Sequence, residues 1–199
     1  IDYINKQLQA TQELNLIYDL DKILDHLDFK LTRSQLISLK EILADANKKV
    51  LMNRLLIGDV GSGKTIVAIL AMIVFAKNGY QAAMMVPTEV LAIQQYEKNL
   101  SLIEGFDLKF ALLTGSSKNK DAIKAKLNNG EIDIVIGTHA LIQEDVSFKD
   151  LRFVVNDEQH RFGVGQRQAL GQKGTKVNYL TMTATPIPRT ISISCLLYT

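Results

Sequence analysis

The chain has 199 residues, 47% of them hydrophobic, which suits one large domain, or one domain with an appendage, around a sizeable core. Its net charge of +2 sets up no strong overall field, so any nucleic-acid contact has to come from a local patch. The single cysteine, Cys195, excludes an internal disulfide, and the longest apolar run, residues 66–76, is shorter than the roughly 20 apolar residues that a bilayer span needs.

With no basic-then-apolar leader at its start, the expectation is a soluble, cytoplasmic protein with no membrane partner. The chain opens on Ile1 and stops inside the apolar segment 191–198, so the expectation is also that it is cut from a longer polypeptide.

Residues 3–27 are predicted as a helix, because Ile17, Leu20, Leu24 and Leu27 recur at spacings of three and four. This segment carries no visible chemistry and reads as an N-terminal arm (1–28) ahead of a domain at 29–199. From residue 34 helices alternate with short apolar strands. A helix over 34–47 leads to a strand over 54–57, a loop, and a helix over 64–77 that stops at Asn78-Gly79. A strand over 81–86 ends at Pro87, a helix covers 89–101, a strand 109–113 and a helix 118–128. Strands over 133–136, 152–155 and 176–181 follow. The strands are apolar throughout, as in a sheet buried on both faces. The β-α-β order predicts an α/β fold with a central parallel sheet flanked by helices and right-handed crossovers. Such sheets bind ligands at the carboxyl ends of their strands. Every motif below falls at such an end.

Gly58-Asp-Val-Gly61-Ser62-Gly63-Lys64-Thr65 fits G-x-x-x-x-G-K-[ST] between a strand and a helix. The glycines let backbone N–H groups face phosphate oxygens, with Ser62 inside the cradle, and the helix beginning at Lys64 adds the positive end of its dipole. Lys64 is placed to reach the β- and γ-phosphates of ATP, and the Thr65 hydroxyl to bind Mg²⁺. Roughly ninety residues on, Asp157-Glu158 follows the apolar run 151–155. Asp157 is expected to hold Mg²⁺ through water and Glu158 to polarise the attacking water as general base. His160 reads either as an ordinary hydrogen-bonded histidine or as a residue coupling the γ-phosphate side to the next strand end. That end carries Thr183 and Thr185 around Ala184, hydroxyls suited to bond His160 and Glu158.

Upstream, Thr32-x-x-Gln35 fits a capping box for the helix that follows, and the Gln35 amide also suits an adenine edge. Pro87-Thr88, Thr114-Gly115 and Gly137-Thr138 all follow strands. Singly each is an ordinary turn; together they offer hydroxyls and N–H groups to a nucleic-acid backbone. Lys118, Lys120, Lys124 and Lys126 on the next helix read first as a solvated face and second as a binding stripe.

Gln35, the loop 58–65, Pro87-Thr88, Thr114-Gly115, Gly137-Thr138, Asp157-Glu158 and Thr183-Ala-Thr185 stand in the order of the superfamily 2 helicase motifs, so the chain resembles that family and its RecA-like fold. Asp157-Glu-Gln-His-Arg-Phe-Gly-Val164 and Met182-Thr-Ala-Thr-Pro-Ile-Pro-Arg-Thr190 look like the RecG group of bacterial DNA helicases. The similar transcription-repair coupling translocases typically carry Glu where Gln159 stands. The resemblance covers about 29–190. It implies an ATP- and Mg²⁺-dependent DNA motor acting on branched DNA and stalled forks, with a second motor domain and a wedge domain as partners in one chain. An arginine finger on that second domain would be worth about 10³–10⁵ in rate, so the chain alone is expected to bind Mg-ATP weakly and turn it over slowly. Asn156 departs from the apolar or threonine residue usual at its position. A nucleotide-dependent switch is the reading from another class, and Glu158 argues against it.

Overall fold

A strand that is apolar on both faces needs cover on both, and the sequence supplies helices for each side. The computed structural model describes residues 14–157 and 169–184. Within them lie α1 (Leu20–Leu24), α2 (Arg33–Ala46), β1 (Asn53–Ile57), α3 (Lys64–Lys77), β2 (Gln81–Met85) and α4 (Glu89–Glu104). These are followed by β3 (Phe110–Leu113), α5 (Lys120–Asn129), β4 (Ile134–Gly137), a 3-10 turn (His139–Ile142), β5 (Leu151–Asp157) and β6 (Asn178–Thr183). The described strands form one parallel sheet in the order β1-β6-β5-β2-β4-β3.

Alternate residues of β2 serve opposite faces. Ala82 and Met84 join the core under α2, α3 and α4, whereas Ala83 and Met85 join the core that holds Leu127 of α5 and Leu141 of the 3-10 turn. The helix α3 lies between the sheet and α2, and every residue from Val67 to Ala76 is buried. Phe75 of α3 stacks on Phe153 of β5, with ring centroids 4.6 Å apart and planes 8° from parallel. Where the sheet meets its lower loops, Gln81 is satisfied on three sides: its amide donates to the Leu127 and Ile132 carbonyls at 2.9 and 2.8 Å and accepts from the Asp150 N–H at 3.0 Å. Buried Arg54 pairs with Glu41 and Asp45 of α2 at 3.0 and 3.1 Å, fixing that helix to the edge strand β1.

Three local expectations are corrected. Residues 14–19 are not helical, and only Leu20–Leu24 is a helix in the described part of the arm, opened by the Asp19 cap. Leu14 and Leu16 are buried while Asn15 and Ile17 are exposed, the period of an extended segment; Ile17, at 78% exposure, is off the predicted stripe. Two asparagines hold this segment. Asn47, at the end of α2, accepts from the Leu16 N–H at 2.7 Å and donates to its carbonyl at 3.4 Å. Asn78, at the end of α3, does the same to Ile17 at 2.8 and 3.0 Å. The helix expected from 118 starts at Lys120 because Asn119 takes φ +59, and the strand expected from 176 starts at Asn178 because Lys176 takes φ +57. Among the described residues no helix is long and apolar enough to cross a membrane.

Candidate functional site

The strand order divides the carboxyl rim of the sheet in two. The ends of β1, β6 and β5 carry the loop at 58–63, Thr183 and Asp157; the ends of β2, β4 and β3 carry Pro87-Thr88, Gly137-Thr138 and Thr114-Gly115.

On the first half, the Gly58 N–H donates to the Thr183 carbonyl at 3.3 Å, which joins the start of the loop to the end of β6. Gly61 and Gly63 take φ +84 and +82, a region L side chains rarely enter, and Gly63 is the N-cap of α3. The first N–H groups of α3 therefore have no intrahelical carbonyl to serve and face the loop. Lys64 spans it, its ammonium donating to the carbonyls of Gly58 at 2.5 Å and Asp59 at 2.8 Å. Lys64, Thr65 and Asp157 line one cavity of about 810 Å³ together with Gly61, Gly63 and Ala184. This is the arrangement a triphosphate needs: N–H groups, a cation, a hydroxyl and a carboxylate around one space.

The same cavity runs on past Gln35, Phe29, Lys30 and Lys98. Gln35 completes the capping box with Thr32: the Thr32 N–H donates to its Oε1 at 2.9 Å, and Thr32 Oγ1 accepts from the Gln35 N–H at 3.3 Å. Its Nε2 donates to the Ser62 carbonyl at 2.9 Å. A Cβ on Gly63 would stand 2.2 Å from that Nε2, so the glycine also makes room for the glutamine. Gln35 thus lies between the helix cap and the loop, with Phe29, 52% exposed, at the cavity wall. Phe29 has no place in the motifs read from the sequence. An aromatic three residues ahead of the capping box was the available signal.

On the second half, Thr88 caps α4, its hydroxyl accepting from the Leu91 N–H at 3.3 Å. Thr114 is 1% exposed, with its hydroxyl 3.3 and 3.2 Å from those of Ser116 and Ser117. Gly115 and Ser116 are exposed. The Gly137 carbonyl accepts from the Val86 N–H at 2.9 Å, and Thr138 is 7% exposed, donating its N–H to the Leu113 carbonyl. The sequence reading missed a contact across this half: the Glu89 carboxylate reaches Ser116. The hydroxyl of Ser116 holds the Glu89 carboxyl below the usual carboxylate range, outweighing the opposing effect of desolvation. Of the four lysines, Lys120 donates to the Gly115 carbonyl and Lys124 pairs with Asp145, so two of them serve internal contacts. Glu158, His160 and Thr185 lie outside the described residues.

The model of the DEAD/DEAH box helicase family matches residues 32–193. The chain is 48% identical to the ATP-dependent DNA helicase RecG of Staphylococcus aureus (strain N315) over 98% of its own length and 29% of the relative's. The RecG of Staphylococcus epidermidis (strain ATCC 12228 / FDA PCI 1200) gives the same figures. The chain therefore spans under a third of the length of these bacterial relatives. A structure of RecG bound to a three-way DNA junction superimposes with a TM-score of 0.81 at 43% identity, over 96% of this chain and 26% of that one. The DEAD-box helicase Mss116 bound to ssRNA and UDP-BeF gives 0.68 at 22% identity over 86% and 39%, a likeness of fold. With its parallel sheet, its phosphate-type loop facing Asp157 and this match over 32–193, the chain belongs to the DEAD/DEAH box helicase family.

Proposed function

We propose that this chain is the ATP-binding half of a motor that moves on branched DNA, acting in recombination and repair in the bacterial cytoplasm. The observation that carries the reading is the shared cavity of Lys64, Thr65 and Asp157 at the loop 58–63, together with the likeness to RecG along nearly the whole chain. Residues 29–199 make up the motor domain and 1–28 its arm. A second motor domain and a wedge domain belong to the remaining length of such a protein.

The N–H groups of the loop and of the first turn of α3 bind the phosphates, and the Lys64 ammonium exchanges its two loop carbonyls for β- and γ-phosphate oxygens. Thr65 and Asp157 would hold Mg²⁺, which would neutralise charge on the phosphates. Gln35, already on the Ser62 carbonyl, carries the state of the loop toward the adenine end of the cavity, where its amide meets the base edge. Glu158 takes a proton from the attacking water, His160 with Thr183 and Thr185 couples that event to the strand end, and Thr88, Gly115 and Thr138 with Pro87, Thr114 and Gly137 shape the surface that meets the DNA backbone.

In the intact protein, Lys64→Ala is expected to lower ATP turnover by at least on the order of 100-fold and to stop ATP-dependent unwinding of a synthetic three-way junction. Unwinding at the parent rate would refute the phosphate role.

A further inference from the structure

Two loops on the DNA half of the rim, 27 residues apart in sequence, are joined by one side chain. Glu89 is the first residue of α4, directly after the cap residue Thr88. Its Oε1 accepts from the Ser116 N–H at 3.0 Å and its Oε2 from the Ser116 hydroxyl at 2.6 Å. A two-pronged contact of this kind fixes orientation as well as distance. The loop is shaped to receive it: a Cβ on Gly115 would stand 2.7 Å from Glu89 Oε1, so a larger residue there closes off the approach. From the other side Lys120, in the first turn of α5, donates to the Gly115 carbonyl. The chain of contacts runs without a break from the cap of α4 to the start of α5.

We propose that Glu89 is a positioning residue that locks the loop after β3 onto the loop after β2, so that both present one rigid surface to a nucleic-acid backbone. This rests on the reading of those loops as backbone contacts. A carboxylate on loop N–H groups has a second conceivable effect, which is to compete with phosphate for them. The geometry favours the lock. Three features of the loop accommodate the carboxylate: the missing side chain at Gly115, the Ser116 hydroxyl, and the Lys120 contact that holds the turn in place. Fixing the loop beforehand spares the DNA the cost of ordering it.

The test uses the intact protein and a fluorescently labelled synthetic three-way junction. Loss of one charge-assisted contact predicts that Glu89→Ala raises the junction concentration for half-maximal stimulation of ATP hydrolysis by about tenfold, with the rate at saturating junction kept. Glu89→Gln keeps the length, an acceptor for the Ser116 N–H and a partner for its hydroxyl, and is expected to recover most of the loss. Tighter junction binding by Glu89→Ala would overturn the lock in favour of competition. A joint fall of saturated rate and melting temperature, unrelieved by Glu89→Gln, would overturn it in favour of general structural support. Thr88→Ala separates the two layers of the argument. If it weakens junction binding while Glu89→Ala does not, the lock fails; if neither variant changes binding, the reading of these loops as the DNA surface fails with it.

Discussion

Asn156 sits one residue before the carboxylate that would hold Mg²⁺, in a strand whose other buried residues are Leu, Phe and Val. It is 1% exposed, in register between Met85 of β2 and Thr181 of β6, and its Oδ1 has no hydrogen-bond partner among the described residues. A buried amide oxygen without a donor costs stability, since it gives up water and receives nothing. Asn156→Val is therefore expected to stabilise the fold by about 1 kcal/mol in urea unfolding. Destabilisation would show that the amide has a use. Local geometry was legible in sequence where a fixed spacing carries it. The loop 58–65 and Thr32-x-x-Gln35 are local patterns, and the structure forms the capping box that the second one spells. The Glu89–Ser116 contact has no such signature, because nothing in the residues between them states that two loops meet. The same holds for the burial of Thr114, which depends on how Ser116 and Ser117 fold back.

At the scale of elements, α3 shows how far a continuous apolar run goes. Such a run cannot say by itself whether it is a strand or a buried helix; its length and the stop at Asn78-Gly79 decide for a helix. The structure buries it on all sides between α2 and the sheet. Phe75 then carries more than its own area, since it stacks on Phe153 in the centre of the sheet. Phe75→Ala is expected to cost about 3–5 kcal/mol in denaturant unfolding. A loss under about 1.5 kcal/mol would mean that the neighbours collapse into the gap. Element boundaries were least legible where a non-glycine residue turns the chain: Asn119 and Lys176 both take positive φ, and neither residue type announces it with the force of a glycine. The described part of the arm departs from the expected helix for a related reason. Ile17, Leu20, Leu24 and Leu27 satisfy a helical spacing, but Leu14 and Leu16 satisfy an extended one, and the pairing of the backbone with Asn47 and Asn78 decides between them.

For the whole molecule, the strand order accounts for the division of the rim into two groups of loops. β5 and β2 are neighbours, so Asp157 stands beside the strand that leads into Pro87, and the half of the rim with the loop 58–63 adjoins the other half at that seam. The alternation of elements predicted a parallel sheet, whereas the order of its strands, set by long-range packing, was beyond a linear reading. The arm belongs to this larger structure. Leu14, Leu16 and Ile23 share the core of α2 and α3. Removing residues 1–28 is expected to cost on the order of 3–5 kcal/mol, from about 1.5–3 kcal/mol per buried side chain less what the freed chain regains, and to lower the melting temperature in calorimetry. An unchanged melting temperature would mean that the arm is only draped on the surface. The grip of Asn78 on Ile17 has a mechanical side. Asn78 ends the helix whose first residue is Lys64, a rod of 14 residues and about 21 Å. Tension on the polypeptide at Leu16 and Ile17 is thus shared between the end of α2, through Asn47, and the far end of that rod, whose opposite end is Lys64.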